Sequence, residues 1–365
     1  MEAVCGAARA GLLRTPHGAV ETPTFMPVGT KGAVKGLSPR DLAEIGAGIV
    51  LGNTYHLYLR PGAEVVREAG GLHEFTGWSG PMLTDSGGYQ VFSLARIRRL
   101  SEEGVRFTSV YDGSVHAFTP ELAVRVQEAL GADVAMVLDE CPPAEADRAY
   151  HASSLRRTAR WAARCKKAHS RPDQALFGIV QGGLYPDLRE ESLRRTLELD
   201  FDGYAVGGLS VGEPRERMLE ILSLLTPGLP EDRPRYFMGI GDPVGILEVI
   251  ALGVDMFDCV LPTRLARHGT ALTSEGRLNL KNARYRRDFG PLDPGCPCEA
   301  CAGFSRAYLA HLLRENELLG HRLVSLHNVR FVTELCRSAR REILAGTYAA
   351  WMRGWISRYA AARSG

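Results

Sequence analysis

Two groups of residues in this 365-residue chain have types and spacings suited to chemistry. Cys296-Pro297-Cys298-Glu299-Ala300-Cys301 packs three thiols into six positions, a density that suits tetrahedral zinc and leaves a fourth ligand to come from elsewhere. Histidine is the expected donor, and His311, His321 and His327 all follow downstream; spacing does not choose among them. A closed Cys3His set keeps no open coordination position, so one structural Zn2+ is expected. The second group is polar residues that end apolar runs. Asp85 sits in Thr84-Asp85-Ser86-Gly87-Gly88-Tyr89-Gln90, where two glycines let the backbone approach a flat ligand and Tyr89 can stack on it. Asp139 can pair with two adjacent N–H groups such as those on the amidine-like edge of guanine, and Gln181 with the Gly208 N–H can serve the remaining purine edge. Asp258 is a charge inside the apolar run Met256-Phe257-Asp258-Cys259-Val260, and such a group needs a partner or a task. Two carboxylates flanking an N-glycosidic bond permit double displacement, in which one attacks the anomeric carbon and the other manages the leaving group's proton. Asp258 and Asp85 are the candidates for those roles.

The elements that must position them are legible as short apolar runs ending in Gly, Asp, Asn or Gln. There are eight: 25–29, 48–53, 81–85, 134–139, 176–181, 204–208, 236–239 and 256–261. Between them lie helical patterns at 38–45, 120–130, 149–169, 187–199, 214–225 and 243–252. Continuous apolar strands alternating with amphipathic helices predict a parallel sheet covered by helices, and a count of eight predicts closure into a (β/α)8 TIM barrel of the α/β class. The polar residues that end the strands then converge on one rim. Alternation on both sides of Asp112-Gly113 predicts a β-hairpin insertion near 104–118. The expected organisation is a barrel over 1–261, a zinc-binding subdomain over 262–330 and a C-terminal helical segment over 331–365 that completes the barrel.

Charge is distributed unevenly. Residues 261–365 hold 17 Lys and Arg against 8 Asp and Glu, a net +9, which leaves −7 for the rest of a chain at +2. A localised basic surface is the footprint of a polyanion partner, although an Arg-rich solvated helical exterior produces the same asymmetry. No apolar run has the length of a bilayer crossing and the N-terminus lacks a signal-peptide pattern, so a cytoplasmic, membrane-free protein is expected. The eight cysteines fit that compartment, since a chain of this size needs no disulfide framework.

From near Gly11 to the C-terminus the chain resembles tRNA-guanine transglycosylases (queuine tRNA-ribosyltransferases) of the bacterial type. The resemblance rests on Met26-Pro27-Val28-Gly29-Thr30, Asp85 to Gln90, Val180-Gln181-Gly182-Gly183, Gly207 to Glu213, Tyr236 to Gly239 and Asp255 to Arg264. It implies a (β/α)8 barrel with a zinc subdomain and selects His327 as the fourth ligand beside Cys296, Cys298 and Cys301. It implies that Asp258 attacks the ribose of the wobble guanosine and that Asp85 is the general acid/base. The base pocket it implies comprises Asp85, Ser86, Gly87, Gly88, Tyr89, Asp139, Gln181, Gly208, Leu209 and Met238, with Glu213 supporting the Leu209-Ser210 peptide. RNA contacts are implied for Gly239, Ile240, Gly241, Asp242, Pro243, Val244 and Gly245, and for Thr263, Arg264, Leu265, Ala266 and Arg267. The implied partners are tRNAs with a G-U-N anticodon (those for Asp, Asn, His and Tyr), read at U-G-U with the guanine extruded, and a 7-deazaguanine base. Cys141 and Val211 match the bacterial pocket that takes 7-aminomethyl-7-deazaguanine, while Ser210 departs from the Ala of some bacterial members and keeps queuine open as the incoming base. A homodimer through the zinc subdomain is also implied, and Phe304, Tyr308 and His311 are expected on one helical face. The rival readings are a non-catalytic tRNA-binding subunit, which retention of both Asp85 and Asp258 disfavours, and a hydrolase of nucleosides or sugars on the same barrel, which leaves the zinc cluster unexplained.

Overall fold

A computed structural model describes residues 1–94 and 98–361. Eight parallel strands close into a barrel: β1 (Thr24–Gly29), β2 (Val50–Gly52), β3 (Met82–Thr84), β4 (Val134–Met136), β5 (Ala175–Val180), β6 (Gly203–Val206), β7 (Arg235–Phe237) and β8 (Met256–Cys259). Each pairs with its successor, and β8 returns to β1 with Met256 opposite Thr24 and Cys259 opposite Pro27. Every apolar run named above overlaps one of these strands, and β1, β5, β6 and β7 each begin one residue before their run. The reason is burial on both faces: Phe25, Met26, Val134, Ala135, Phe177, Ile179, Phe237 and Phe257 are all enclosed, so polar alternation has no place in such a sheet.

The covering helices begin where the chain supplies caps. Ser38 and Asp41 form a reciprocal capping box ahead of Pro39–Ile45, and Gly46 ends that helix in the left-handed conformation. Thr119 caps Pro120–Leu130 and Asp242 caps Pro243–Ala251, each with proline at the start of the helix. Side-chain caps of this kind stabilise by about 1 kcal/mol each, and they set where each loop at the rim gives way to helix.

The N-terminal rim is held by buried charge. Asp133, just before β4, accepts the Met82 N–H at 2.8 Å and pairs with His17. Asp255, just before β8, accepts the Arg235 N–H at 2.8 Å and pairs with Arg9 at 3.2 Å. The opposite, C-terminal rim is open.

Three features lie outside the barrel. Residues Ala3–Cys5, Ala8–Thr15 and Gly18–Thr22 form an antiparallel sheet; its half-exposed strands carry no continuous apolar run, which is why the strand pattern sought in the sequence passed over them. The hairpin at Asp112-Gly113 is present, pairing Val105–Thr108 with Val115–Phe118, and a third strand, Arg98–Leu100, extends it. After β8 come the helix Leu261–Arg267, a hairpin (Thr270–Thr273 with Gly276–Asn279) and helices Glu299–Gly303, Arg306–Arg314, Leu318–Leu344 and Tyr348–Ala361. The 27-residue helix Leu318–Leu344 packs on Leu261–Arg267, on the two short helices after the cysteines, and on β1. The boundary expected at 330/331 falls inside this one helix. Among the described residues no helix is long and apolar enough to cross a membrane.

Candidate active site

The open rim holds a cavity of about 450 Å³ lined by Asp85, Asp139, Gln181, Gly208, Met238 and Asp258, each from the end of a different strand. Ser86, Gly87, Gly88, Tyr89, Leu209, Gly239 and Arg264 also line it. Val28, Thr30, Asn53, His56, Cys141 and Tyr236 join them, and of these only Cys141 had been given a part in the pocket by sequence reasoning.

Asp85 is held from three sides. Its Oδ1 accepts the Thr54 N–H at 2.8 Å and the Gly87 N–H at 3.2 Å, and its Oδ2 accepts the Asn53 amide at 2.5 Å. Asn53 ends the second apolar run and was legible as a strand end, but nothing in the sequence joined it to Asp85. Burial pushes the Asp85 carboxyl up to about 7, against the Thr54 hydrogen bond, and the negative charges of Asp258 and Asp139 add to the rise. A carboxyl that titrates near neutrality can both give and take a proton under physiological conditions.

This shift carries a stability consequence whose sign is fixed. The folded chain holds the Asp85 proton up to about pH 7, whereas the unfolded chain releases it near the ordinary value of 3.8. The stability from this group is therefore full below pH 3.8 and is lost as pH rises through about 7. Asp85→Asn is expected to be more stable than the parent at pH 8, by on the order of 1–3 kcal/mol, and to gain nothing at pH 4. Thermal melts at both pH values test this, and an unchanged or lower melting temperature at pH 8 would refute it.

Asp258 lies within β8. Its Oδ1 accepts the Tyr236 hydroxyl at 2.6 Å and the Gly239 N–H at 2.9 Å. Burial raises its carboxyl while these two donors favour the ionised form. Tyr236 stands two residues before Met238 in a motif singled out in the sequence, but its phenol gave no signal there, because an aromatic at a strand start reads as core. Asp139 accepts the Gln181 amide at 2.7 Å and the Ser86 hydroxyl at 3.2 Å, and burial pushes it up to about 6. The Gln181 Oε1 is buried without a hydrogen-bond partner among the described residues, a free acceptor beside the cavity. Tyr89 is 51% exposed at the rim, where its ring is available for stacking.

The glycines of this rim are required by the protein's own packing. A Cβ on Gly88 would lie 2.6 Å from the Asp139 carbonyl oxygen, and one on Gly208 would lie 2.3 Å from the Gln181 Oε1, at a φ of +65°. They allow the pocket's own polar groups to converge, a requirement separate from the ligand approach expected of Gly87 and Gly88, which also line the cavity. Behind the loop, Glu213 accepts the N–H groups of Ser210 and Val211, the latter at 3.0 Å.

The stretches expected to touch RNA divide in two. Ile240, Gly241, Pro243, Gly245, Thr263 and Ala266 are buried, and Asp242 caps the helix that follows. Gly239 and Arg264 are exposed beside the cavity, with Val244, Leu265 and Arg267 half-buried.

A second constellation lies in the C-terminal part. Cys296, Cys298, Cys301 and His327 bring their ligand atoms within 4.8 Å of one another. The three sulfurs lie 3.7, 3.5 and 3.2 Å from the His327 Nδ1, and tetrahedral zinc with bonds of about 2.3 Å to sulfur and about 2.0 Å to nitrogen spans S···N edges of roughly 3.5 Å. The other ring nitrogen, Nε2, meets the Leu272 carbonyl at 2.6 Å, the outer-shell contact that fixes the tautomer of a metal-ligating histidine. Hydrogen bonds among the three thiols hold the Cys296 thiol below its ordinary value and push the Cys301 thiol up. His321 instead meets Asn316 at 3.0 Å, and His311 is exposed on its helix. The four residues fit a zinc ion.

Comparison with known proteins agrees with this geometry. The sequence model of the family described as Queuine tRNA-ribosyltransferase matches residues 5–361. A queuine tRNA-ribosyltransferase of Pelotomaculum thermopropionicum is 56% identical over 352 residues, covering 96% of this chain and 95% of the relative. One from Desulforudis audaxviator is 60% identical over 337 residues (92% and 91%), and one from Thermus thermophilus is 57% identical over 358 residues (98% and 93%). With a closed barrel, a carboxylate-lined mouth and similarity running nearly end to end, this chain belongs to the queuine tRNA-ribosyltransferase family.

Proposed function

We propose that this chain exchanges the wobble guanine of tRNAs with G-U-N anticodons for 7-aminomethyl-7-deazaguanine through a covalent Asp258–ribose intermediate. The observation that carries the reading is the placement of two buried carboxylates with different surroundings at one cavity: Asp258, polarised by a phenol and an amide, and Asp85, titrating near neutrality. In the first displacement an Asp258 oxygen bonds to the anomeric carbon as the bond from that carbon to N9 of guanine breaks. The electron pair leaves with the base, and Asp85 supplies its proton. In the second, Asp85 takes the N9 proton of the incoming base, whose nitrogen re-forms the glycosidic bond and expels the Asp258 carboxylate. Two inversions restore the original configuration.

Asp139 would accept from the N1–H and exocyclic amine of the base, and the Gly208 N–H and the second amide hydrogen of Gln181 would donate to its oxo group; the 2.7 Å bond from the Gln181 amide to Asp139 supports this by orienting that amide. Extruding the nucleotide opens both the sugar and the base edge to these groups. Arg264, exposed at the cavity, and Arg267, further along the same helix, would supply phosphate contacts. The experiment is to incubate an unmodified Asp-tRNA transcript with the protein and either 7-aminomethyl-7-deazaguanine or queuine, then identify the wobble nucleoside by mass spectrometry. Exchange is expected with 7-aminomethyl-7-deazaguanine; an unmodified nucleoside with both bases would sink the reading.

We further propose a homodimer through the zinc-bearing face. Phe304 falls just before the helix Arg306–Arg314, not on it as expected, because the chain breaks between two short helices and Ser305 caps the second. It still reaches Tyr308, and the two rings stack at 5.6 Å with Tyr308 40% exposed. A fully active protein that sediments as a monomer would defeat this proposal.

A further inference from the structure

Arg189 is the most deeply buried arginine among the described residues, at 1% exposure, and makes no ion pair among them. Burial pushes its guanidinium down to about 10, so it stays charged at neutral pH. A charge so placed is costly unless its donors are satisfied. Here carbonyls satisfy them: Nε donates to Gly183 O at 2.8 Å, Nη1 to Val180 O at 2.9 Å and Gly207 O at 2.8 Å, and Nη2 to Gly208 O at 3.3 Å. All four carbonyls belong to the segments that follow or end β5 and β6, behind the cavity wall.

In a trans peptide the C=O of one residue and the N–H of the next point in opposite directions. Tying the Gly207 carbonyl to a guanidinium behind the wall therefore turns the Gly208 N–H forward. That amide faces the sulfur of Cys141, which lines the cavity. Two and three residues further on the direction reverses, since Glu213 takes the amides of Ser210 and Val211. We infer that Arg189 is a positioning residue for base recognition, which, granted the base-exchange reading above, aims the Gly208 N–H at the oxo group of a purine in the cavity. A lysine cannot replace it: the planar fork reaches four carbonyls at once, and an ammonium on a flexible stem has three donors and no fixed plane.

The test compares two ligands by calorimetric titration into the intact zinc-loaded protein and its Arg189→Lys and Arg189→Met variants. Guanine carries the oxo acceptor, and 6-thioguanine keeps the same N1–H and amine edge but presents a weakly accepting sulfur. Both variants are expected to lose roughly tenfold in guanine affinity and less than about twofold for 6-thioguanine. If Arg189→Met does not fold, Arg189→Lys carries the comparison alone. Equal weakening of both ligands would reduce Arg189 to a scaffold residue and overturn the inference, as would unchanged guanine binding. Failure of the parent protein to bind guanine at all would overturn the base-exchange reading, and the inference with it.

Discussion

Asp258→Asn is expected to lower base exchange by at least about 10³-fold and to eliminate the denaturation-resistant protein–RNA adduct, while tRNA affinity stays within about threefold of the parent. The substitution changes one atom's chemistry and little else. Asparagine keeps an oxygen for the Tyr236 hydroxyl and the Gly239 N–H, so the mouth of the barrel retains its shape. It also removes a buried ionisable group whose pKa is raised, so above the ordinary carboxylate range the variant is expected to be at least as stable as the parent, and a thermal melt of the variant separates lost chemistry from unfolding. On the proposed reading affinity for tRNA would rest on phosphate contacts, which an amide in place of the Asp258 carboxylate would leave intact. Denaturing gels of protein incubated with labelled transcript read the adduct, and filter binding reads affinity. Turnover with an adduct still present would require another nucleophile. Loss of binding in step with turnover would favour the rival reading in which Asp258 organises an RNA surface without attacking the sugar.

How much of this site was legible in the sequence depended on whether a residue's signal was local. Asp85, Asp139, Gln181 and Asp258 were visible because each is a polar residue at or near the end of an apolar run, and in a parallel barrel that position faces the open rim. The eight runs were visible because burial on both faces removes polar alternation from the sheet. The residues that hold those side chains were not visible. Asn53 and Thr54 reach Asp85 from the neighbouring strand end, over 30 positions away in sequence, and Tyr236 reaches Asp258 across the pairing of β7 with β8. Pairing partners can be named only once the order of the sheet is known. Arg189 was hidden differently: in Arg-Glu-Glu-Ser-Leu-Arg-Arg it reads as one more charge on a solvated helix, and only the approach of four carbonyls distinguishes it. The N-terminal sheet escaped because its strands are half exposed.

The metal site has consequences beyond local geometry. One zinc per chain is expected by elemental analysis, and Cys298→Ala or prolonged chelation is expected to remove it and to lower the melting temperature by roughly 10 °C or more. The size of the effect follows from what the four ligands join. Three come from the segment that ends in the short helix Glu299–Gly303, and the fourth, His327, is wholly buried in the N-terminal half of Leu318–Leu344. Without the ion, the three cysteine sulfurs and the His327 Nδ1 lose the ligand that would join them in a largely enclosed setting, a loss of folding free energy before any loss of packing. The helix that carries it also packs on Leu261–Arg267 and on β1, so disorder spreads from the cysteines to the element that bears Arg264 and Arg267. Weaker tRNA binding should therefore accompany metal loss, and limited proteolysis should open the chain between 280 and 317 before the barrel. Acid should promote release, because the ligating thiolates must be protonated to let the ion go. A protein that contains no stoichiometric zinc, and whose melting and protease resistance are indifferent to chelation, would leave the Cys3His constellation without this structural role.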